Sequence, residues 1–340
     1  MNSAFNIIKQ SSLSFTLTPI GIRELFYIDN APCDIYSISE DRVYEIEIAQ
    51  NSPISKELLK DLIHSRHANL FVEDHNFIKI VELQNENLRT ITRSLSIGNP
   101  LNKGRKHLNL LSINLKYLYN DPTNDELLNL QYQSVKNLCS FLLKNQSYIK
   151  DLYKHFIKQK HHYIYSQPLM ASVFLIGILK HSRIYSDKEI ESLFITSYFK
   201  DIGMSAVPKS KYAQDKLSLE DKKLLAEHPR LSKEILAGRI PLGPSYLNII
   251  ANHHHFSLMN LNTKILDEEE EEIVSGFETM IIAITDIITA MISERPYRAA
   301  TTVFEALDLV KLLMAHKYPQ EFKLLVLYFR LFFTNNKEES

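Results

Sequence analysis

The chain of 340 residues contains no tryptophan, only two cysteines and only eight glycines. Cys33 and Cys139 stand far apart and in no metal-ligand spacing. Neither a disulfide framework nor a thiolate metal site is expected, and a reduced, cytoplasmic setting is. Scarce glycine fits a helix-rich chain, because Gly and Pro punctuate loops and strands more than helices. A charge excess is missing as well: the formal net charge is −1. Nothing global attracts nucleic acid or an anionic membrane, though a local pocket could still take a small anion. Long apolar runs are absent from the stretches that look most apolar. Met280–Met291 contains Thr and Asp and is too short to span a bilayer. The opening MNSAFNIIKQSSLSF lacks the basic start and continuous apolar run of a signal peptide. A soluble protein without membrane insertion is expected.

What is present is ordinary globular material, 45% hydrophobic and 23% charged, with length enough for two domains. Residues 1–100 read as a small α/β domain of unknown, sensory or regulatory role. Leu13–Thr18, Glu24–Asp29, Asp34–Ser39 and Arg42–Ala49 are short and rich in β-branched and aromatic residues. Ser55–His64 reads as an amphipathic helix, with Asn69–Glu73 and Phe77–Val81 as returning strands. From Lys106 the apolar period becomes helical. Gly104, Pro122 and several Asn within Asn99–Asn124 place the domain boundary there or just before it. Residues 101–144 read as a helical connector and 145–335 as a helical domain. Within the latter, Ser218 and Asp221 have capping-box spacing, Pro244 and Ser245 precede the helix carrying Asn252–His255, and Met280–Ser293 is an apolar helix with one acid. The fold class expected is α+β overall: a small α/β domain followed by an all-α bundle.

Four places put metal-ligand types on these helices: Asp201 in YFKDIGMSAVP, His228 in LAEHPRLS, His253 to His255 in ANHHHF, and Asp286 in AITDIITAM. Imidazole and carboxylate suit Zn, Mn, Fe or Ni, and a helical cage can converge such groups from distant sequence. Taken alone, a His before a Pro is more often a surface or cap residue. Asp286 on an apolar helix needs a cation or hydrogen-bond donors, because burying a bare carboxylate is costly.

The order of these elements resembles the HD-GYP family. KDIGMSAVP resembles its HDIGK-x-x-[IV]-P signature, His228-Pro229 its next ligand helix, and His253-His254 its paired histidines. AITDIITAMISERPYR resembles its late helix running into an R-P-Y-R turn, and YIYSQPLMAS its first ligand helix. The resemblance covers residues 145–335 and implies an HD-type helical bundle. It also implies bacterial cyclic di-GMP hydrolysis by two or three metal ions, often iron or manganese.

The sequence departs from that pattern at the site. Gln167 stands at the first ligand histidine, Lys200 at the histidine of the His-Asp pair and Met204 at the phosphate-holding lysine. No Gly-Tyr-Pro follows His254. The resemblance implies one metal set reading Gln167, Lys200, Asp201 and Asp286, without imidazoles, and a second reading Asp201, His228, His253 and His254, complete. An ammonium has no lone pair for a metal. Lys200 is expected either between Asp201 and Asp286, replacing an ion, or reaching outward to solvent. His161 and His162 could compensate for Gln167 or cap a solvated helix end. His255 is read as a polar neighbour and the acidic run Asp267–Glu272 as a solvated loop. The function expected is a degenerate cyclic-dinucleotide signalling domain, weakly active or inactive, that binds a nucleotide or a protein partner. It would hold one transition metal, iron or manganese before zinc, or none. The alternatives are a mononuclear cyclic di-GMP phosphodiesterase and a pure protein–protein module. A homodimer is compatible with all three.

Overall fold

The computed structural model describes residues 16–39, 43–64, 70–212, 214, 218–254, 276–316 and 318–334. His255 and the run Asp267–Glu272 lie outside them. The chain divides into two compact units, Met1–Ile91 and Thr92–Ser340. The first is a small four-stranded sheet with helices, and the second is mostly helical.

In the first unit β1 (Leu17–Ile20), β2 (Ile35–Ile38), β3 (Tyr44–Ile48) and β4 (Leu70–Glu73) form an antiparallel sheet in the order β1-β4-β2-β3. Alternate residues Ile20, Ile35, Ile48, Leu70 and Val72 turn to one face. There they pack with Leu59 and Leu62 of α1 (Lys56–His64) and Ile80 of α2 (Asp74–Arg93). Two strand expectations fail. Glu24 and Leu25 end a 3-10 turn, Ile22–Leu25, whose Gly21 N–H donates to Glu24 Oε1 at 2.7 Å. Phe77–Val81 belongs to α2: Phe77, Ile80, Gln84, Leu88 and Ile91 recur every three or four residues. Five residues were too few to separate that period from a strand's.

The second unit contains α3 (Pro100–Asn120), α4 (Asp125–Lys144), α5 (Ile149–Lys158), α6 (Tyr163–Ser182), α7 (Asp187–Phe199), α8 (Leu219–Ala226), α9 (His228–Leu236), α10 (Pro244–Asn252), α11 (Phe277–Met291), α12 (Val303–Met314) and α13 (Pro319–Thr334). Asn99 caps α3 and Pro100 sits in its first turn, so the helix starts before the period change read from sequence. Gly104 is no break. A Cβ there would lie 2.8 Å from Leu152 Cδ2 and 3.1 Å from Phe141, so the glycine lets neighbouring helices approach. Ser218 and Asp221 form the expected capping box, but the helix they open breaks at Glu227, which makes His228 the first residue of α9.

Packing of α7, α11, α13 and α3 around α6 forms the heart of the unit. By length and composition α6 could cross a membrane, yet 83% of its apolar window is buried inside the fold. Such all-round apolarity is what a central bundle helix requires. YIYSQPLMAS is helical, as its resemblance to a first ligand helix implied, and the helix continues past it to Ser182.

Candidate metal centre

The chain reverses direction just after α7, and the residues there carry the site. Lys200 ends α7, Asp201 follows, and a 3-10 turn spans Ile202–Ala206. Gly203 lets this turn meet α9: a Cβ would lie 2.2 Å from the His228 carbonyl and 2.7 Å from Ser232 N. Gly203 N–H donates to Ser232 Oγ at 2.8 Å, and the Tyr119 hydroxyl donates to the Asp201 carbonyl at 3.0 Å. These contacts set Asp201 opposite the start of α9 and the end of α10.

Four ligand-type side chains converge there. Asp201 Oδ1 is 3.2 Å from His228 Nε2 and 3.1 Å from His253 Nε2. His228 Nε2 is 3.4 Å from His253 Nε2 and 3.1 Å from His254 Nε2. One ligand atom from each residue falls within 4.8 Å of the others, a group that could hold a metal ion. The protons decide what this convergence means. His228 Nδ1 lies 2.6 Å from the Leu225 carbonyl and His253 Nδ1 2.6 Å from the Ile250 carbonyl. A carbonyl only accepts, so both Nδ1 atoms carry protons and, in the neutral rings, both Nε2 atoms present lone pairs. Burial lowers the pKa of His253 and holds that of His254 well below the usual imidazole value, with His253 and His228 adding to the effect at His254. Lone pairs therefore face lone pairs and a carboxylate oxygen. A cation among them resolves the repulsion, so the donor set fits a transition metal, with Nδ1 anchored as metal-binding histidines anchor it.

The adjoining half has the opposite polarity. Lys200 is fully buried, its ammonium pairing with Asp201 Oδ2 and lying 2.7 Å from Asp286 Oδ1. Gln167 Nε2 donates to the same Asp286 oxygen at 2.9 Å, while its Oε1 accepts from the Arg295 guanidinium. Because a guanidinium only donates, Arg295 fixes the amide orientation and turns its nitrogen toward Asp286. Burial opposes the Lys200 charge, but Asp201 and Asp286 outweigh it and raise its pKa. Burial likewise opposes the Asp201 charge, and the Lys200 ammonium beside it reverses that, holding its carboxyl well below the usual carboxylate range. Lys200 does not reach outward to solvent. Met204 is buried and lines the cavity.

Above these groups opens a cavity of about 1000 Å³, lined also by Tyr163, Lys211, Tyr212, Arg295 and Tyr297. Arg295 sits 4.5 Å over the Tyr163 ring. The histidines considered as substitutes for Gln167 are elsewhere. His162 caps α6 by accepting from Ile164 N–H, and His161 contacts Asn109 Oδ1 at 3.0 Å and stacks on Phe156. Tyr119, Tyr163, Tyr212 and Ser232 were missed from sequence. Only Gly203, in the DIG triplet, hinted that a helix packs closely there.

Fold and site together define a class: a helical domain with a partly buried three-histidine, one-aspartate group at the floor of an open cavity. Bd1817, an HDG"Y"P protein from Bdellovibrio bacteriovorus, has a similar fold, with a TM-score of 0.58 over 91% of this chain and 98% of that one at 16% identity. A cyclic di-GMP phosphodiesterase response regulator, RpfG of Xanthomonas campestris pv. campestris (strain 8004), is 25% identical over 136 residues, 38% of this chain. The matched stretch spans about a third of that curated relative's length, 34%. No family model matches the sequence.

Proposed function

We propose that the helical unit binds one transition metal through Asp201, His228, His253 and His254 and holds a cyclic dinucleotide in the cavity above it. It would serve cyclic di-GMP signalling by binding rather than by efficient hydrolysis. The observation that carries this reading is the contrast within one site: converging lone pairs in one half, N–H donors in the other.

A bound divalent ion would neutralise phosphate charge and lower the pKa of a coordinated water. The chain's own groups do the rest. Asp201 and the three imidazoles hold the ion. Arg295, braced over Tyr163, offers a guanidinium to an anionic ligand, and the Tyr163 and Tyr297 rings offer faces to a base. Where the family pattern places a phosphate lysine, Met204 supplies no charge. Losing one such charge-stabilising contact typically costs roughly two to three decades of rate. The similarity to a cyclic di-GMP phosphodiesterase supports the ligand class, and the departures at Gln167, Lys200 and Met204 argue against fast turnover.

The test is elemental analysis, equilibrium cyclic di-GMP binding and hydrolysis measured on one preparation of the whole chain. Expected are close to one metal per chain, saturable nucleotide binding, and loss of the metal in His253→Ala. Rapid multiple turnover would identify a mononuclear phosphodiesterase instead. Absence of both metal and nucleotide binding would leave a protein–protein module.

A further inference from the structure

The two halves of the site are built from opposite chemistry, and Asp201 joins them. Its Oδ1 faces the imidazole lone pairs of His228 and His253, while its Oδ2 takes the ammonium of Lys200. Asp286 accepts from that ammonium and from the Gln167 amide on the same oxygen, Oδ1. Every nitrogen presented to these two carboxylates in the second half carries protons and has no lone pair to donate. The Gln167 carbonyl, which could otherwise ligate, is committed to Arg295.

We infer that the Lys200 ammonium is a resident cation standing in for a second metal ion, so the site takes one metal and excludes another. This deepens, and rests on, the reading that Asp201, His228, His253 and His254 bind metal. Three observations support it. Lys200 is fully buried, so its charge is not shared with solvent. Its nitrogen lies between two carboxylates from different elements, the end of α7 and the middle of α11, where an ion would bridge them. And Arg295 locks Gln167 in its donor orientation, completing the second half without a metal. The consequence is electrostatic. Two carboxylates, one ammonium and one divalent ion leave a net charge of +1, whereas two divalent ions would leave +2. The cavity floor would therefore attract a phosphodiester while offering it one fewer metal contact.

The experiment loads the metal-free full chain with excess Mn(II), removes unbound ion and measures manganese per chain alongside the electron paramagnetic resonance spectrum. Wild type is expected to hold one manganese with the hyperfine pattern of an isolated ion. The double variant Gln167→His/Lys200→His should hold two, with a broadened spectrum from ions coupled through the Asp201 carboxylate. Two manganese in wild type would overturn the inference while leaving metal binding intact, as would a folded double variant that still holds one. No manganese in wild type would defeat the metal-binding reading itself, and the inference with it. Should the double variant not fold, Lys200→Met serves. In chelator its thermal midpoint should fall, and manganese should raise it more than in wild type. An unchanged midpoint with unchanged manganese content would refute the role assigned to Lys200.

Discussion

Removing Lys200 tests the energetics of the buried ammonium most directly, and the magnitude follows from its geometry. At 2.7 Å from Asp286 Oδ1, with an effective dielectric constant of about 20, Coulomb's law gives roughly 6 kcal/mol of attraction. Burying both charges offsets much of that gain, but the offset is already incurred in the native fold. Deleting one partner leaves the other buried and unpaired, which typically costs about 3–5 kcal/mol. Lys200→Met in metal-free protein is therefore expected to lose stability in that range, and Asp286→Asn less, because Lys200 keeps its pairing with Asp201. In Lys200→Met/Asp286→Asn the unpaired Asp286 charge no longer exists. The double variant should lose about 2–4 kcal/mol less than the sum of the singles, since contacting charged pairs couple strongly. Urea unfolding followed by far-UV circular dichroism measures all three, and the absence of tryptophan makes helix content the natural probe. Additivity within about 0.5 kcal/mol would show that Lys200 and Asp286 do not interact, and the account of the second half-site would fail.

Gly203→Ala should displace α9, because its Cβ would meet backbone at 2.2 Å. A loss of roughly 1–3 kcal/mol, together with weakened manganese binding by calorimetry, is expected, and unaltered metal affinity would count against Gly203 positioning His228. His107 is fully buried, with Nδ1 unpartnered among the described residues, and burial pushes its pKa down to about 3. The folded state therefore keeps the ring neutral while the unfolded chain gains a proton below pH ~6.5, so this contribution is intact above that pH and shrinks as pH falls toward the folded value. Between pH 7 and pH 5 it should remove about 2 kcal/mol, and His107→Gln should flatten the stability–pH slope by that amount in urea titrations. Asn124 accepts from Glu126 N–H and Leu127 N–H, both at 3.1 Å, so Asn124→Ala should cost about 1 kcal/mol and lower the thermal midpoint of the helical unit.

The amino-acid sequence by itself determined the change from strands to helices, the cap at Ser218, and the candidate ligands Asp201, His228, His253, His254 and Asp286. Each of these is written in local spacing or in a short motif whose chemistry is carried by residue type. The short elements near the start of the chain were less legible. Phe77–Val81 shows an apolar pattern that fits either period over five residues, and only the continuation to Ile91 makes it a helix. Sequence left two positions open for the Lys200 ammonium, and tertiary structure alone decided between them. Burial of the α7 end beside α11 brings Asp286 to Lys200 although they stand 86 positions apart in the sequence, and no local rule encodes that meeting. The same holds for the orientation of Gln167. Its amide is symmetric in shape, and only the arrival of the Arg295 guanidinium from the turn after α11 determines which end faces the carboxylate. Residue types thus specified which groups could hold a cation, while packing of distant helices specified where each proton and each lone pair points.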